Sequence, residues 1–91
     1  MIVRSAKLTF LLAGADSLKD KRQICRSMID KAKRKFNAAI AEVDAQDKIG
    51  TLVIGVALVS GEAAHAAEML ESLIRHLENE PEAEALVIER D

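Results

Sequence analysis

The chain has 91 residues, of which 49% are hydrophobic and 31% charged, with one cysteine, one proline and no tryptophan or tyrosine. This composition excludes a disordered chain, a collagen-like chain and a disulfide-stapled scaffold, and it predicts one folded domain over residues 1–91. The formal net charge of −2 argues against strong nonspecific binding of nucleic acid by the molecule as a whole.

The N-terminal segment raises the question of a signal peptide, because Arg4 and Lys7 precede a short apolar run. That run is broken by Thr9 and leads directly into a helix-capping sequence, so we favour a strand. No stretch approaches the ~20 apolar residues of a membrane-spanning helix. Cys25 has no partner for an internal disulfide, and we interpret it as a buried structural cysteine rather than a reactive thiol. We therefore expect a cytoplasmic protein with no membrane partner.

Periodicity predicts the first two elements. Residues 2–12 alternate between apolar and polar side chains, which is typical of a strand. Ser17 and Asp20 resemble a capping box and predict a helix that runs to about Phe36 and ends at Asn37.

The second half of the chain repeats this order. The remaining predicted elements are a strand over 38–44, a turn over 45–50, a strand over 51–59, a helix capped by 60–62 and ended by Asn79 and Pro81, and a strand over 83–90. The order β-α-β-β-α-β predicts an α+β fold of the ferredoxin-like type, a four-stranded antiparallel sheet with two helices on one face.

Charge is strongly segregated along this chain. From residue 19 to residue 35 there are eight basic and two acidic residues, a net charge of +6, whereas the rest of the chain sums to −8. We predict a polyanion-binding surface. Its residues are Lys19, Lys21, Arg22, Arg26, Lys33, Arg34 and Lys35. The alternative is a solvated helix face, with Arg26 and Asp30 as an i,i+4 pair, or self-association with the acidic C-terminal region.

The two aromatic residues exclude one mode of RNA binding. Recognition by a sheet face needs aromatic side chains on which bases stack. By the apolar pattern, Phe10 and Phe36 both face the core, so any nucleic-acid contact is predicted to be made by a helix with phosphates.

Candidate chemistry is sparse. The turn after the second strand gathers polar residues that form a weak candidate ligand site: Glu42, Asp44, Gln46 and Asp47. Three carboxylates with His65 would resemble a hard-cation site, but nothing places His65 near them. We assign no catalytic residue, metal or cofactor, and we expect a protein that is not an enzyme.

The third strand is apolar on both faces, although helices cover one face of a ferredoxin-like sheet. We therefore predict a homodimer that packs sheet against sheet. The residues assigned to this dimer face are Ile40, Leu52, Ile54, Val56 and Leu58.

Several segments together resemble the YlxP-like family, a bacterial domain of unknown function that carries the family number five hundred and three. They are residues 17–22, 36–37, 41–44, 46–47, 55–57, 65–66 and 80–84. The resemblance implies a small cytoplasmic protein of ferredoxin-like fold, often encoded beside translation and ribosome-maturation factors, with no assigned reaction. Two positions depart from the family pattern, since Ala45 stands where a histidine is frequent and Ile49 where an aromatic residue is common.

These observations lead to three functional hypotheses. The first is a non-enzymatic module that contacts structured RNA or a ribosomal particle through the basic helix. The second is an oligomeric interaction module that docks an acidic protein partner, and the third is a small-ligand regulatory domain. Binding that is sensitive to salt favours the first, an RNA-independent protein partner the second, and a ligand-dependent shift in melting temperature the third.

Overall fold

A four-stranded sheet organises the structure, a computed structural model that describes all 91 residues. The elements are β1 (Ile2–Leu11), α1 (Leu18–Lys35), β2 (Ala39–Asp44), β3 (Thr51–Ser60), α2 (Ala63–Glu78) and β4 (Glu84–Arg90). The strands pair antiparallel in the order β2-β3-β1-β4, and both helices pack on one side. The predicted ferredoxin-like β-α-β-β-α-β fold is confirmed.

Local sequence signals explain where α1 begins. The Ser17 hydroxyl accepts a hydrogen bond from the Asp20 backbone N–H at 3.1 Å, which satisfies one of the amides that have no partner within the helix. The Asp20 carboxylate accepts from the Asp16 backbone N–H at 3.0 Å. The helix ends at Lys35, and Phe36 takes extended backbone angles as its C-cap.

The register of β1 against β3 decides which side of the sheet becomes the core. Leu8 lies opposite Ile54 and Phe10 opposite Leu52, and these side chains are fully buried. The inner surface of α2 packs on them with Ala66, Leu70, Leu73, Ile74 and Leu77. Phe10 lies inside this core and Phe36 packs against it, as predicted.

The predicted dimer face is wrong. Ile40, Leu52, Ile54, Val56 and Leu58 are each at most 5% exposed and belong to the core beneath the helices. Because β3 is apolar on both faces, its own sequence does not say which face the helices cover. Pairing with Leu8 and Phe10 turns the even-numbered residues of β3 inward.

The opposite side of the sheet carries no helix, and we call it the open sheet face. It is formed by the odd-numbered residues of β1 and β3, together with Ala39, Ala41 and Val43 of β2 and Val87 and Glu89 of β4. Its centre contains Gly55, where an added Cβ would lie 2.8 Å from Val43 Cγ1. A glycine is needed there because the Val43 side chain lies across the strand. Neither α1 nor α2 combines the length and the apolar character of a bilayer-spanning helix.

Candidate polyanion-binding site on α1

Seven cations of α1 are exposed on the protein surface, and we call the six other than Lys31 the basic face. They are Lys19, Arg22, Arg26, Lys33, Arg34 and Lys35. The apolar residues of α1 turn toward the sheet, which leaves the polar positions at helical spacing on the outside. Lys19, Arg26 and Lys33 follow one another at intervals of seven residues, which corresponds to about 10.5 Å along the axis. The basic face therefore runs along most of the helix.

None of these six side chains forms an ion pair within the molecule. The five ion pairs of the structure involve Arg4, Lys7, Lys21, Lys31 and Arg90. The Arg26–Asp30 pair that would have accounted for part of the charge is absent, although the two residues are one turn apart. The acidic C-terminal region binds other cations instead, and Lys31, which lies 3.7 Å from Glu80, is the one α1 residue that reaches it.

Helix α2 differs from α1 in that a charged residue on its surface has a well-formed ion pair. Arg90 on β4 donates two hydrogen bonds to Glu71 on α2, at 2.8 and 2.9 Å. The hydrogen bond from Arg90 lowers the pKa of the Glu71 carboxyl below its ordinary value. Glu71 therefore has a cationic partner within the molecule, whereas the six cations of the basic face have no ion-pair partner.

Lys21 does not belong to the basic face, which corrects the predicted set. Its side chain is buried, and the ammonium donates hydrogen bonds to the carbonyl oxygens of Ala45 at 2.5 Å and Lys48 at 2.6 Å. It also forms an ion pair with Glu42 Oε2 at 3.2 Å. Lys21 thus fastens α1 to the loop between β2 and β3. Its position four residues before Cys25 and seven before Met28 places it in the apolar stripe, a signal that the sequence contained.

Residues of the predicted ligand turn take part in the contacts of Lys21, which we call the Lys21 anchor. Glu42 faces Lys21, and the Asp44 carboxylate accepts a hydrogen bond from the Ala45 backbone N–H at 2.7 Å. Gln46 and Asp47 are exposed in the loop. No three histidine, cysteine or acidic side chains come together in a metal-ligating arrangement. Of the four residues, the structure therefore places two in structural contacts and two in solvent.

The loop itself adopts an unusual backbone conformation. Ala45 has a φ of 55°, in the left-handed region that costs a residue with a Cβ roughly 1–2 kcal/mol. The Asp44 carboxylate and the Lys21 ammonium both bind the backbone of this residue. These contacts hold a loop that its own sequence does not favour.

Cys25 lies beside this anchor on α1 and is buried, as predicted. Burial raises the pKa of its thiol above the ordinary value, and the charge of Glu42 raises it further, against an opposing effect of Lys21. A thiol with a raised pKa is a poor nucleophile at neutral pH.

The chain is similar to proteins whose role is undefined. A family model described as "Protein of unknown function (DUF503)" matches residues 3–90. The uncharacterized protein YlxP of Bacillus subtilis (strain 168) is 27% identical over 82 residues, which cover 90% of this chain and 89% of that protein. A de novo designed protein with a ferredoxin fold superposes with a TM-score of 0.57 over 100% of this chain and 84% of the other, at 19% identity, which bears on the fold alone. The chain therefore belongs to the DUF503 family of proteins of unknown function.

Proposed function

We propose that this protein is a non-enzymatic binding module that contacts the phosphate backbone of structured RNA through the basic face of α1. The observation that carries the proposal is the set of six exposed cations without an internal ion pair. When Lys and Arg side chains neutralise phosphates, the counterions condensed on the RNA are released, and this release supplies a large part of the affinity in protein–nucleic acid complexes.

Folding stability does not account for these cations. Like charges four residues apart on a helix, such as Arg22 and Arg26, destabilise it by about 0.2–0.5 kcal/mol per pair. The charges near the C-terminus of α1 are favoured by the helix dipole, but this stabilisation is confined to the last turn. An external polyanion is the counterpart that the molecule itself does not provide.

The make-up of the surface favours RNA over an acidic protein. Stable protein interfaces are usually anchored by buried aromatic or large apolar side chains. The exposed large hydrophobic residues of this protein lie outside both helices. A surface with cations and no apolar anchor suits phosphates, which need charge and hydrogen-bond donors alone.

The position of the aromatic residues favours a folded RNA over a single strand. Binding of unpaired bases relies on stacking against aromatic side chains. Phe10 is buried, and Phe36 packs edge-on against His76 at 5.5 Å between ring centroids. The basic face therefore suits the regularly spaced phosphates of a double-helical segment, of the kind that ribosomal RNA provides in abundance.

The test is a salt titration of binding to an RNA hairpin and to isolated ribosomal subunits. The variant Arg22→Glu/Arg26→Glu is compared with the control Lys48→Glu/Arg75→Glu, which changes the net charge equally at exposed positions outside α1. We expect wild-type binding with a log–log salt slope of about −5 if all six cations contact phosphates of a double helix, and a slope that is shallower by about 2 in the α1 variant. The control variant should retain most of the wild-type affinity for RNA.

Two results contradict the proposal. Absence of salt-dependent RNA binding by the wild type excludes it, and an RNA-independent protein ligand would then support the acidic-partner hypothesis. Equal weakening by both double variants shows that net charge, rather than the basic face, governs the interaction. Circular dichroism of each variant establishes that the helices are intact.

A further inference from the structure

The exposed large apolar side chains of the molecule are confined to the sheet, the β2–β3 loop and the N-terminus. They are Met1, Val3, Leu11, Val43, Ile49, Val59, Leu86 and Val87. Neither helix contributes one. Since a soluble monomer rarely exposes a contiguous apolar patch of several hundred Å², this concentration requires an explanation.

The open sheet face has both protruding and recessed apolar parts. Val3 and Val59 lie opposite each other in the β1–β3 ladder and are 54% and 62% exposed. Beside them is a shallow depression lined by small residues that include Ala39, Ala41 and Ala57. Protruding valines and a recess on one surface are the features that a self-complementary interface needs.

The size of the face meets the requirement of a specific interface. Four strands about 4.8 Å apart that average about eight residues in length, at about 3.3 Å per residue, give a face equivalent to about 19 by 27 Å. Its projected area is about 500 Å², so covering it on two molecules buries at least about 1,000 Å², the lower limit for a stable protein–protein contact.

The charges on the face permit contact between identical copies. Lys7 and Glu89 lie side by side on β1 and β4, with their charged atoms 3.5 Å apart, so they neutralise each other within one molecule. At this pair, two copies that meet bring no excess of one charge together. Of the six cations of the basic face, Lys33 alone lines the depression, and the other five do not border it.

We infer that the open sheet face binds the open sheet face of a second copy of this chain. A two-fold axis that lies in the plane between the two sheets, perpendicular to the strands, places the apolar patches in contact. It gives a dimer with four layers, in the order helices, sheet, sheet, helices. A second copy is the occupant that these features fit, because the same surface provides the protrusion, the recess and the balanced charge. This inference does not depend on RNA binding.

The oligomeric state without RNA tests it, measured by sedimentation equilibrium over the micromolar range. We expect the wild type at about 20 kDa, twice the mass of the 9.9 kDa chain. Val59→Glu should weaken dimerisation by about 100-fold or more, because each copy would bury an unpaired carboxylate. Ala64→Glu adds the same charge at an exposed position of α2 and should remain dimeric.

Two outcomes overturn the inference. One is a wild type that sediments as a monomer throughout the concentration range, and the other is a dimer that Val59→Glu leaves intact. If circular dichroism shows that Val59→Glu is unfolded, Val3→Glu on the neighbouring strand provides the same test. Either overturning result leaves the RNA experiment unaffected, because that experiment alters residues of α1.

Discussion

The inner and outer sides of α1 show that one residue type performs two different tasks in a single helix. Lys19 and Lys21 are two residues apart and carry the same charge. Lys19 is exposed, whereas Lys21 is 1% exposed and binds two backbone carbonyls and one carboxylate. Two residues correspond to about 200° around a helix, which is enough to separate solvent from core. The position around the helix, more than the charge, decides what a lysine does.

The largest effect is expected from breaking the contacts on the inner side. Lys21→Met should lower the free energy of unfolding by about 3 kcal/mol or more, because it leaves Glu42 and the carbonyls of Ala45 and Lys48 without their cation. The matched variant Lys19→Met, on the outer side, should stay within about 0.5 kcal/mol of the wild type. Urea unfolding at one fixed protein concentration measures both.

A second substitution separates the ion pair from the rest of this anchor. Lys21→Met/Glu42→Leu should recover part of the loss, since an apolar pair costs less than a single buried charge. Equal stability of Lys21→Met and Lys19→Met would mean that the Lys21 ammonium is not held by the loop in solution.

An effect of intermediate size is expected when the reactivity of a thiol on the inner side of α1 is compared with that of a thiol on the outer side. Because burial and Glu42 raise the pKa of Cys25, it should react with iodoacetamide more slowly at pH 8 than a thiol on the outer side. Ser27→Cys in a Cys25→Ala background supplies that exposed thiol. The reaction rate of Cys25 should continue to rise with pH where the exposed thiol has reached its plateau. Coincident pH profiles would show that Cys25 is not shielded.

The smallest effect is expected on the outer side itself. Arg26→Gln removes the repulsion between Arg26 and Arg22 and should raise the free energy of unfolding by about 0.2–0.5 kcal/mol at low ionic strength. The gain should vanish in high salt, where exposed charges are screened. Thermal unfolding at two salt concentrations measures it, and a loss of stability would reveal an intramolecular partner for Arg26.

The fold was predictable from the sequence because its signals are local. The alternation in β1, the cap at Ser17 and the turn residues before β3 each act within a few positions. The basic face of α1 was also predictable. The burial of Lys21 could have been predicted only by giving its helical spacing more weight than its charge.

The inward face of β3 was not predictable in the same way, because it depends on pairing between distant segments. Leu52 and Val53 are both apolar, and nothing in β3 itself distinguishes the side that receives the helices. The pairing of Leu52 with Phe10 makes the distinction, across 42 positions of chain. Register between strands is a tertiary property, and a single apolar strand contains little information about it.

The burial of Lys21 has a consequence for chemical modification of the protein. Acylation of a lysine amine removes its charge and needs an accessible nitrogen. Lys19, Lys33 and Lys35 are open to such a reaction, whereas Lys21 is enclosed by the loop. Complete acylation would thus take three of the six positive charges from the basic face, leave the three arginines charged and spare the contact that holds α1 to the sheet. The charge of the face can be adjusted in steps without loosening the fold beneath it.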